Sequence, residues 1–125
     1  MMKLEHPQEI EVWYVIPAVK RELANSMIKD YGLSQKKVAD VLGLTESAVS
    51  QYVNSKRAHE LEFNDEFKTL IKESAKDVME GKHSMVRAIQ MICDKYRRTK
   101  EICDVHKKFG VVYQENCKAC EGYYD

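Results

Sequence analysis

Apolar residues recur every three or four positions through most of the chain, which is the spacing of one face of an α-helix. The first run follows Pro17 and comprises Val19, Leu23, Ala24, Met27, Ile28 and Tyr31. Pro17 suits a first helical turn, because its missing amide needs no partner there, and Gly32 suits the helix end. Residues 9–16 alternate at first and are rich in β-branched side chains, so they predict either a strand or a helical lead-in.

Two short helices joined by a tight turn are predicted next. Ser34 and Thr45 are placed to cap helices over residues 35–42 and 46–54, because their hydroxyls can accept from free backbone amides. Gly43, between the helices, permits the positive φ of a sharp turn. The predicted inward faces are apolar and consist of Val38, Ala39, Leu42, Ala48, Val49 and Tyr52 or Val53.

Two longer helices are predicted in the second half of the chain. Asn64 is placed to cap the first, which ends at Gly81, and the second runs from Ser84 to about Arg98. Their apolar stripes are Phe67, Leu70, Ile71, Ser74, Val78 and Met79, and then Met85, Ala88, Ile89, Ile92, Cys93 and Tyr96. Each stripe fits either an intramolecular core or pairing with a second copy. The whole pattern predicts an all-α fold.

The helical period fades after Thr99, where cysteine, histidine, glycine and aromatic residues form short irregular pieces. So few residues cannot build a core unaided, and we expect a cross-link or a metal to hold them. The sequence therefore predicts a helix-turn-helix domain over residues 1–60 and a helical linker or dimerisation region over 61–98. A cysteine-rich tail follows over 99–125, with Cys93 contributed by the preceding helix.

Composition and charge narrow the class of protein. The longest stretch without a charge, residues 47–55, contains Ser, Gln and Asn, so no membrane span or membrane partner is expected. The first eleven residues lack the order of a secretory signal, and we expect a reducing cytoplasmic location. The net charge is zero, but local patches govern attraction to phosphate. Residues 31–57 carry four basic and two acidic side chains, a balance of +2.

The outward face of the second short helix is the most informative surface in the sequence. It is built from short polar side chains, namely Thr45, Glu46, Ser47, Ser50, Gln51 and Asn54. Such side chains reach base edges and phosphates without blocking entry of a helix into a major groove about 12 Å wide. The pattern predicts binding to double-stranded DNA.

Residues 12–60 resemble the helix-turn-helix of the lambda-repressor-like family, and more closely the archaeal regulators that join this unit to a cysteine-containing tail. The resemblance is carried by Ser34-Gln35, Val38-Ala39, Leu42-Gly43-Leu44 and Ala48-Val49-Ser50-Gln51-Tyr52. It implies phosphate contacts by Gln35, Lys56 and Arg57, and base contacts by Glu46, Ser47, Ser50 and Gln51. Glu46 departs from the pattern, since a carboxylate accepts from cytosine N4 but repels phosphate.

These observations favour a sequence-specific transcriptional regulator. A balance of +2 is modest, so one unit alone binds weakly and a homodimer on a two-fold site is expected. Repression by occlusion is expected, because no polymerase-contact segment is evident. A second basic run is either a solvated face or a further DNA contact; it comprises Arg87, Lys95, Arg97, Arg98, Lys100, Lys107 and Lys108.

Four cysteines, Cys93, Cys103, Cys117 and Cys120, all lie in the last third of the chain. Stable disulfides are disfavoured in a reducing compartment, and a Cys-x-x-Cys turn directs two sulfurs to one centre, so a metal is the leading interpretation. Thiolates suit both zinc and iron-sulfur clusters. We expect a [4Fe-4S] cluster on all four, because clusters accept irregular spacing and the archaeal resemblance implies sensing of redox, oxygen or iron status.

Several alternatives stay open. Zn²⁺ on Cys103, His106, Cys117 and Cys120 forms a second complete ligand set that leaves Cys93 spare and makes the tail purely structural. A thiol-disulfide enzyme using Cys117 and Cys120 is a different class of function, as is an adaptor that uses the helix-turn-helix for protein contacts. The Cys-x-x-Cys pair does not open a helix after a strand, and no glycine-rich phosphate loop or paired carboxylates occur. We therefore expect neither an enzyme nor a small-molecule substrate.

Overall fold

The computed structural model describes residue 9 and residues 11–54 and 61–99. Within these ranges there are five α-helices and no strand. The helices are α1 (Ile16–Lys29), α2 (Gln35–Leu42), α3 (Glu46–Val53), α4 (Asp65–Met79) and α5 (Met85–Arg98). The all-α prediction is confirmed for this part of the chain. The cysteine-rich tail beyond Thr99 lies outside the described residues.

The segment before α1 is helical, so the strand alternative is wrong there. A π-helical turn, Glu11–Val15, runs directly into α1. Val15 is fully buried, as are Ala18 and Val19, and the three residues are spaced as one helical stripe. The β-branched residues therefore extend the inward face of α1 instead of forming a strand.

Side-chain caps begin the other four helices. Three of them were predicted, and the fourth is Ser84, at which the last helix was predicted to start. In each case an oxygen of the capping side chain accepts from the backbone amide three positions along, which satisfies one free donor of the first turn. The caps and their oxygen-to-nitrogen distances are Ser34 at 3.1 Å, Thr45 at 3.0 Å, Asn64 at 2.9 Å and Ser84 at 3.1 Å. α3 ends at Val53, one residue earlier than predicted, with Asn54 as its C-cap.

One hydrophobic core joins all five helices. α1 lies at its centre and packs against each of the other four helices. The apolar stripes of α4 and α5 face this core, with Ala75 buried and the predicted Ser74 only half-buried. Of the two interpretations of these stripes, the structure shows intramolecular packing. Residues 61–99 thus complete the scaffold that supports α2 and α3.

Two charged side chains are buried in this scaffold. Arg21 of α1 donates to the carbonyl oxygen of Leu61 at 2.9 Å and pairs with Glu22 at 3.0 Å. The two carboxylate oxygens of Glu11 accept hydrogen bonds from Nε and Nη2 of Arg97, each at 3.0 Å. A buried charge is tolerated when it is paired and hydrogen-bonded. The contacts of Arg21 connect residue 61 to α1, and those of Glu11 connect the end of α5 to the π-helical turn.

The outer surface of the described ranges carries few large apolar side chains. Those that are exposed are Val12, Trp13, Val86 and Met91. Isolated apolar residues of this kind are ordinary on a protein surface. None of the helices in residues 11–54 or 61–99 combines the length and the apolar composition needed to cross a membrane.

Candidate nucleic-acid interface

The turn between α2 and α3 has the geometry that the sequence predicts. Gly43 has a φ of 68° and ends α2 in the left-handed region, where a side chain introduces strain. The amide of Leu44 then donates to the carbonyl of Ala39 at 2.9 Å. Ala39 and Leu42 are buried against the core. The turn therefore fixes the direction in which α3 leaves α2.

α3 attaches to the scaffold through two buried side chains, Val49 and Tyr52. Ala48, predicted to face inward, is only half-buried. Val53 is also half-buried and packs against the core. The opposite face is open to solvent, with Thr45, Glu46, Ser47 and Asn54 exposed and Ser50 and Gln51 half-buried. All six polar residues predicted here are therefore at least partly accessible to solvent.

Three of the six polar side chains on this face make no hydrogen bond or ion pair within the described ranges. Asn54 Nδ2 donates to Ser50 Oγ at 3.2 Å, an i to i+4 pair along the helix. Thr45 is occupied by its cap. Within the described ranges, Glu46, Ser47 and Gln51 make no side-chain hydrogen bond or ion pair. Their donors and acceptors are available to a ligand that approaches α3.

The start of α2 lies on the surface, and its first three residues are exposed. Gln35 is the predicted phosphate contact, and free amides at a helix N-terminus favour an anion. Lys36 and Lys37 are exposed beside it, and the sequence-based site did not include them. The signal that could have found them is the position of two lysines within three residues of the predicted cap, Ser34. The other predicted phosphate contacts, Lys56 and Arg57, lie outside the described residues.

The second basic run is partly neutralised inside the fold. Arg97 is half-buried and paired with Glu11, and Arg98 Nε donates to Asp94 Oδ2 at 3.1 Å. Arg87 and Lys95 are exposed on α5. The remaining lysines of the run follow residue 99 and fall outside the described part. α5 therefore presents less free positive charge than its sequence suggests.

Cys93 is the one predicted metal ligand within the described residues. Its side chain belongs to the hydrophobic core and is 4% exposed. Burial, together with the nearby carboxylate of Glu11, raises the pKa of the Cys93 thiol to about 12, and Arg97 acts in the opposite direction. Across the described ranges, no three His, Cys, Asp or Glu side chains are grouped as a metal site requires. Cys103, His106, Cys117 and Cys120 lie beyond these ranges.

Comparison with protein families identifies the part of the chain that carries this surface. Residues 26–59 match the helix-turn-helix family model, and they include the end of α1, all of α2 and all of α3. The segment is a helix-turn-helix domain of the lambda-repressor-like kind. Such a domain indicates a DNA-binding transcription regulator whose partner is double-stranded DNA. No curated protein and no solved structure matched the chain.

Proposed function

We propose that this protein is a non-enzymatic, homodimeric regulator that reads a specific duplex sequence with α3 and represses transcription by occupying its site. The observation that carries the proposal is the two-sided character of α3. Its inner side is held by Val49 and Tyr52, and its outer side presents polar groups without partners in the described structure. A helix of this kind enters the major groove and exchanges hydrogen bonds with base edges.

Phosphate and base contacts have separate tasks in this proposal. Gln35 and Lys36, at the exposed start of α2, hold backbone phosphate and set the register of the protein on DNA. Ser47 and Gln51 lie one helical turn apart on the outer side of α3 and contact base edges. The buried contacts between α1 and α3 keep this helix rigid, so little ordering is required when DNA binds.

The homodimer is proposed from charge and geometry. Among residues 31–54, Lys36 and Lys37 are balanced by Asp40 and Glu46, so the net charge of this range is zero and the attraction of one copy to DNA is weak. Two copies on a two-fold site double the contact area and the number of base contacts. Because the stripes of α4 and α5 are consumed by the core, the proposed dimer uses other surfaces. Light scattering with and without duplex tests the stoichiometry, and a single copy per site contradicts the dimer.

Binding of α3 to bases is tested with a duplex selected from a random library and measured by fluorescence anisotropy. We expect Gln51→Ala and Ser47→Ala each to weaken binding by about tenfold, since one good base contact contributes 1–3 kcal/mol. Gln90→Ala is the matched control, because Gln90 is exposed on α5. Folded Gln51→Ala and Ser47→Ala proteins that bind as tightly as the wild type would contradict the proposal.

We also propose that the tail holds a cysteine-ligated metal that makes the regulator responsive to redox, oxygen or iron status, as a [4Fe-4S] cluster on Cys93, Cys103, Cys117 and Cys120. Such a cluster, when bound, supplies a change of charge on reduction or loss of iron. A cysteine ligand must reach the metal with its sulfur, and Cys93 is buried in the core. This burial favours a second candidate that does not use Cys93, the structural zinc site on Cys103, His106, Cys117 and Cys120.

Oxygen-free purification followed by metal and sulfide analysis distinguishes the two ligand sets. Iron and sulfide that are lost in Cys93→Ala support the four-cysteine cluster. Zinc that is retained in Cys93→Ala, and lost in Cys117→Ala, supports the set containing His106. Wild-type protein that is folded and contains neither iron nor zinc after oxygen-free purification contradicts both metal proposals and leaves the DNA-binding proposal unaffected.

A further inference from the structure

Glu46 is an exposed carboxylate whose structural contribution, within the described residues, is limited to its position in the first turn of α3. It is the first residue of α3, and the hydroxyl of Thr45 already caps the helix by accepting from the Ala48 amide. Its side chain makes no hydrogen bond or ion pair within the described ranges. A negative charge in the first helical turn is favourable toward the helix dipole. On a surface that approaches DNA, however, the same charge is repelled by phosphate.

The hydrogen-bonding chemistry of a carboxylate limits what it can read in the major groove. An ionised carboxylate only accepts hydrogen bonds. The base-edge donors in the major groove are the amino groups at cytosine N4 and adenine N6. The adenine amino group lies between two acceptors, its own N7 and the O4 of the paired thymine, and both oppose a further acceptor. The cytosine amino group has an acceptor on one side only, the O6 of the paired guanine, and the C5–H edge on the other side. Cytosine is therefore the base that best matches an acceptor at this position.

We propose that Glu46 is a specificity-determining residue that requires a cytosine amino group at one position of each half-site. The inference rests on the proposed function of α3 as the DNA-reading helix. It extends that function by assigning a base to one side chain.

Glu46 would select DNA sequences by weakening binding to the wrong base as much as by strengthening binding to cytosine. Residues 31–57 contain two acidic side chains against four basic ones, and Glu46 is one of the two. Where the facing base offers no amino group, the carboxylate is left without a partner and its charge opposes the nearby phosphates. Binding to other sequences is weakened, so specificity is gained from an unfavourable contact with the wrong partner.

The experiment selects preferred sites from a randomised duplex library with the wild-type protein, Glu46→Gln and Glu66→Gln. Glu66 is the matched control, because it is an exposed acid in the first turn of α4. We expect the wild type and Glu66→Gln to select the same motif with one fixed cytosine per half-site. Glu46→Gln is expected to lose that cytosine or replace it with adenine, since an amide both donates and accepts and pairs with adenine N6 and N7.

Binding measurements give the expected magnitudes. The preference of the wild type for cytosine over other bases at this position should be about tenfold, and Glu46→Gln should reduce it to about twofold or less. Binding of Glu46→Gln to unrelated duplex should tighten by about twofold to fivefold, because one repelling charge is removed. Thermal melting shows whether both variants are folded.

The outcomes separate this inference from the proposed function beneath it. If Glu46→Gln selects the same motif as the wild type with the same preference, the assignment of cytosine to Glu46 is overturned while DNA reading by α3 stands. If the wild-type protein selects no motif at all, the proposed function fails and the inference fails with it. A shifted base at the position read by Glu46, with the rest of the motif retained, supports both.

Discussion

α3 and α5 begin with the same kind of side-chain cap but differ in how many side chains they bury. Each starts after a hydroxyl side chain that accepts from a backbone amide, at 3.0 Å for Thr45 and 3.1 Å for Ser84. α5 then buries five side chains in the core, and α3 buries two. Two arginines of α5 are paired with acids of the fold, whereas Ser47 and Gln51 of α3 have no partner within the described ranges. α5 therefore contributes more to the hydrophobic core than α3 does, and α3 leaves more polar groups available to a ligand.

The largest effect on stability is expected from a cavity under α5. Ile92 is 1% exposed, and Ile92→Ala should lower the free energy of unfolding by about 3 kcal/mol, from lost burial and an unfilled cavity. Val86→Ala, at a residue 62% exposed on the same helix, should change it by less than about 0.5 kcal/mol. Urea denaturation measures both variants. Equal stability of the two would contradict the assignment of α5 to the core.

The next effect concerns the ion pair that joins the end of α5 to the first helical turn. The Glu11 side chain is 8% exposed, and Arg97→Ala leaves its carboxylate buried without its arginine partner. We expect a loss of about 2 kcal/mol, the usual result for an unpaired buried charge. Arg98→Ala is the control, because its pair with Asp94 is about half exposed and should contribute less than about 0.5 kcal/mol. Similar losses for both arginines would exclude a special role for the buried pair.

A matched pair of caps separates the two helices by function. Thr45→Ala and Ser84→Ala should each lower the free energy of unfolding by about 1 kcal/mol, because each leaves an amide of the first turn without its acceptor. Only Thr45→Ala should also weaken DNA binding, since only Thr45 adjoins the outer side of α3. Anisotropy titrations at a temperature where both variants are folded provide the measurement. Equal binding by the two variants would argue against a DNA contact near Thr45.

The smallest effect at neutral pH concerns Cys93. Its pKa is raised from an ordinary value of 9.0 to about 12, so the neutral thiol is favoured in the folded state. This contribution to stability is fully present below pH 9 and is lost as the pH rises from 9 toward 12. Alkylation of Cys93 by iodoacetamide at pH 8, followed by peptide mass spectrometry, should be slow in the folded protein and fast in urea. Equally fast alkylation in both states would contradict its burial.

Much of the fold was predictable because its signals are local. Ser34, Thr45, Asn64 and Ser84 are caps that act within three residues, and Gly43 adopts the positive φ that its turn requires. The outer side of α3 was predicted for the same reason, since helical spacing alone separates positions 49 and 52 from positions 47, 50, 51 and 54. The Ser50 to Asn54 hydrogen bond follows the same spacing and was open to prediction.

Other features depend on contacts that no local pattern encodes. An apolar stripe indicates that one face of α4 and one face of α5 are buried. It does not indicate whether this chain or a second copy packs against those faces. Glu11 and Arg97 are separated by 86 positions, so nothing in their neighbourhoods indicates their pairing. The lead-in to α1 was ambiguous because β-branched residues suit strands, whereas the burial of Val15 depends on the helices packed around it.

The most direct test of the central claim is an NMR titration of the protein with its selected duplex, following the backbone and side-chain amides. We expect the largest shift changes at residues 35–37 and 45–54, and little change on the exposed side of α5 around Gln90 and Asp94. Large changes on α5 with residues 45–54 unmoved would show that DNA binds elsewhere and that α3 is not the DNA-reading helix.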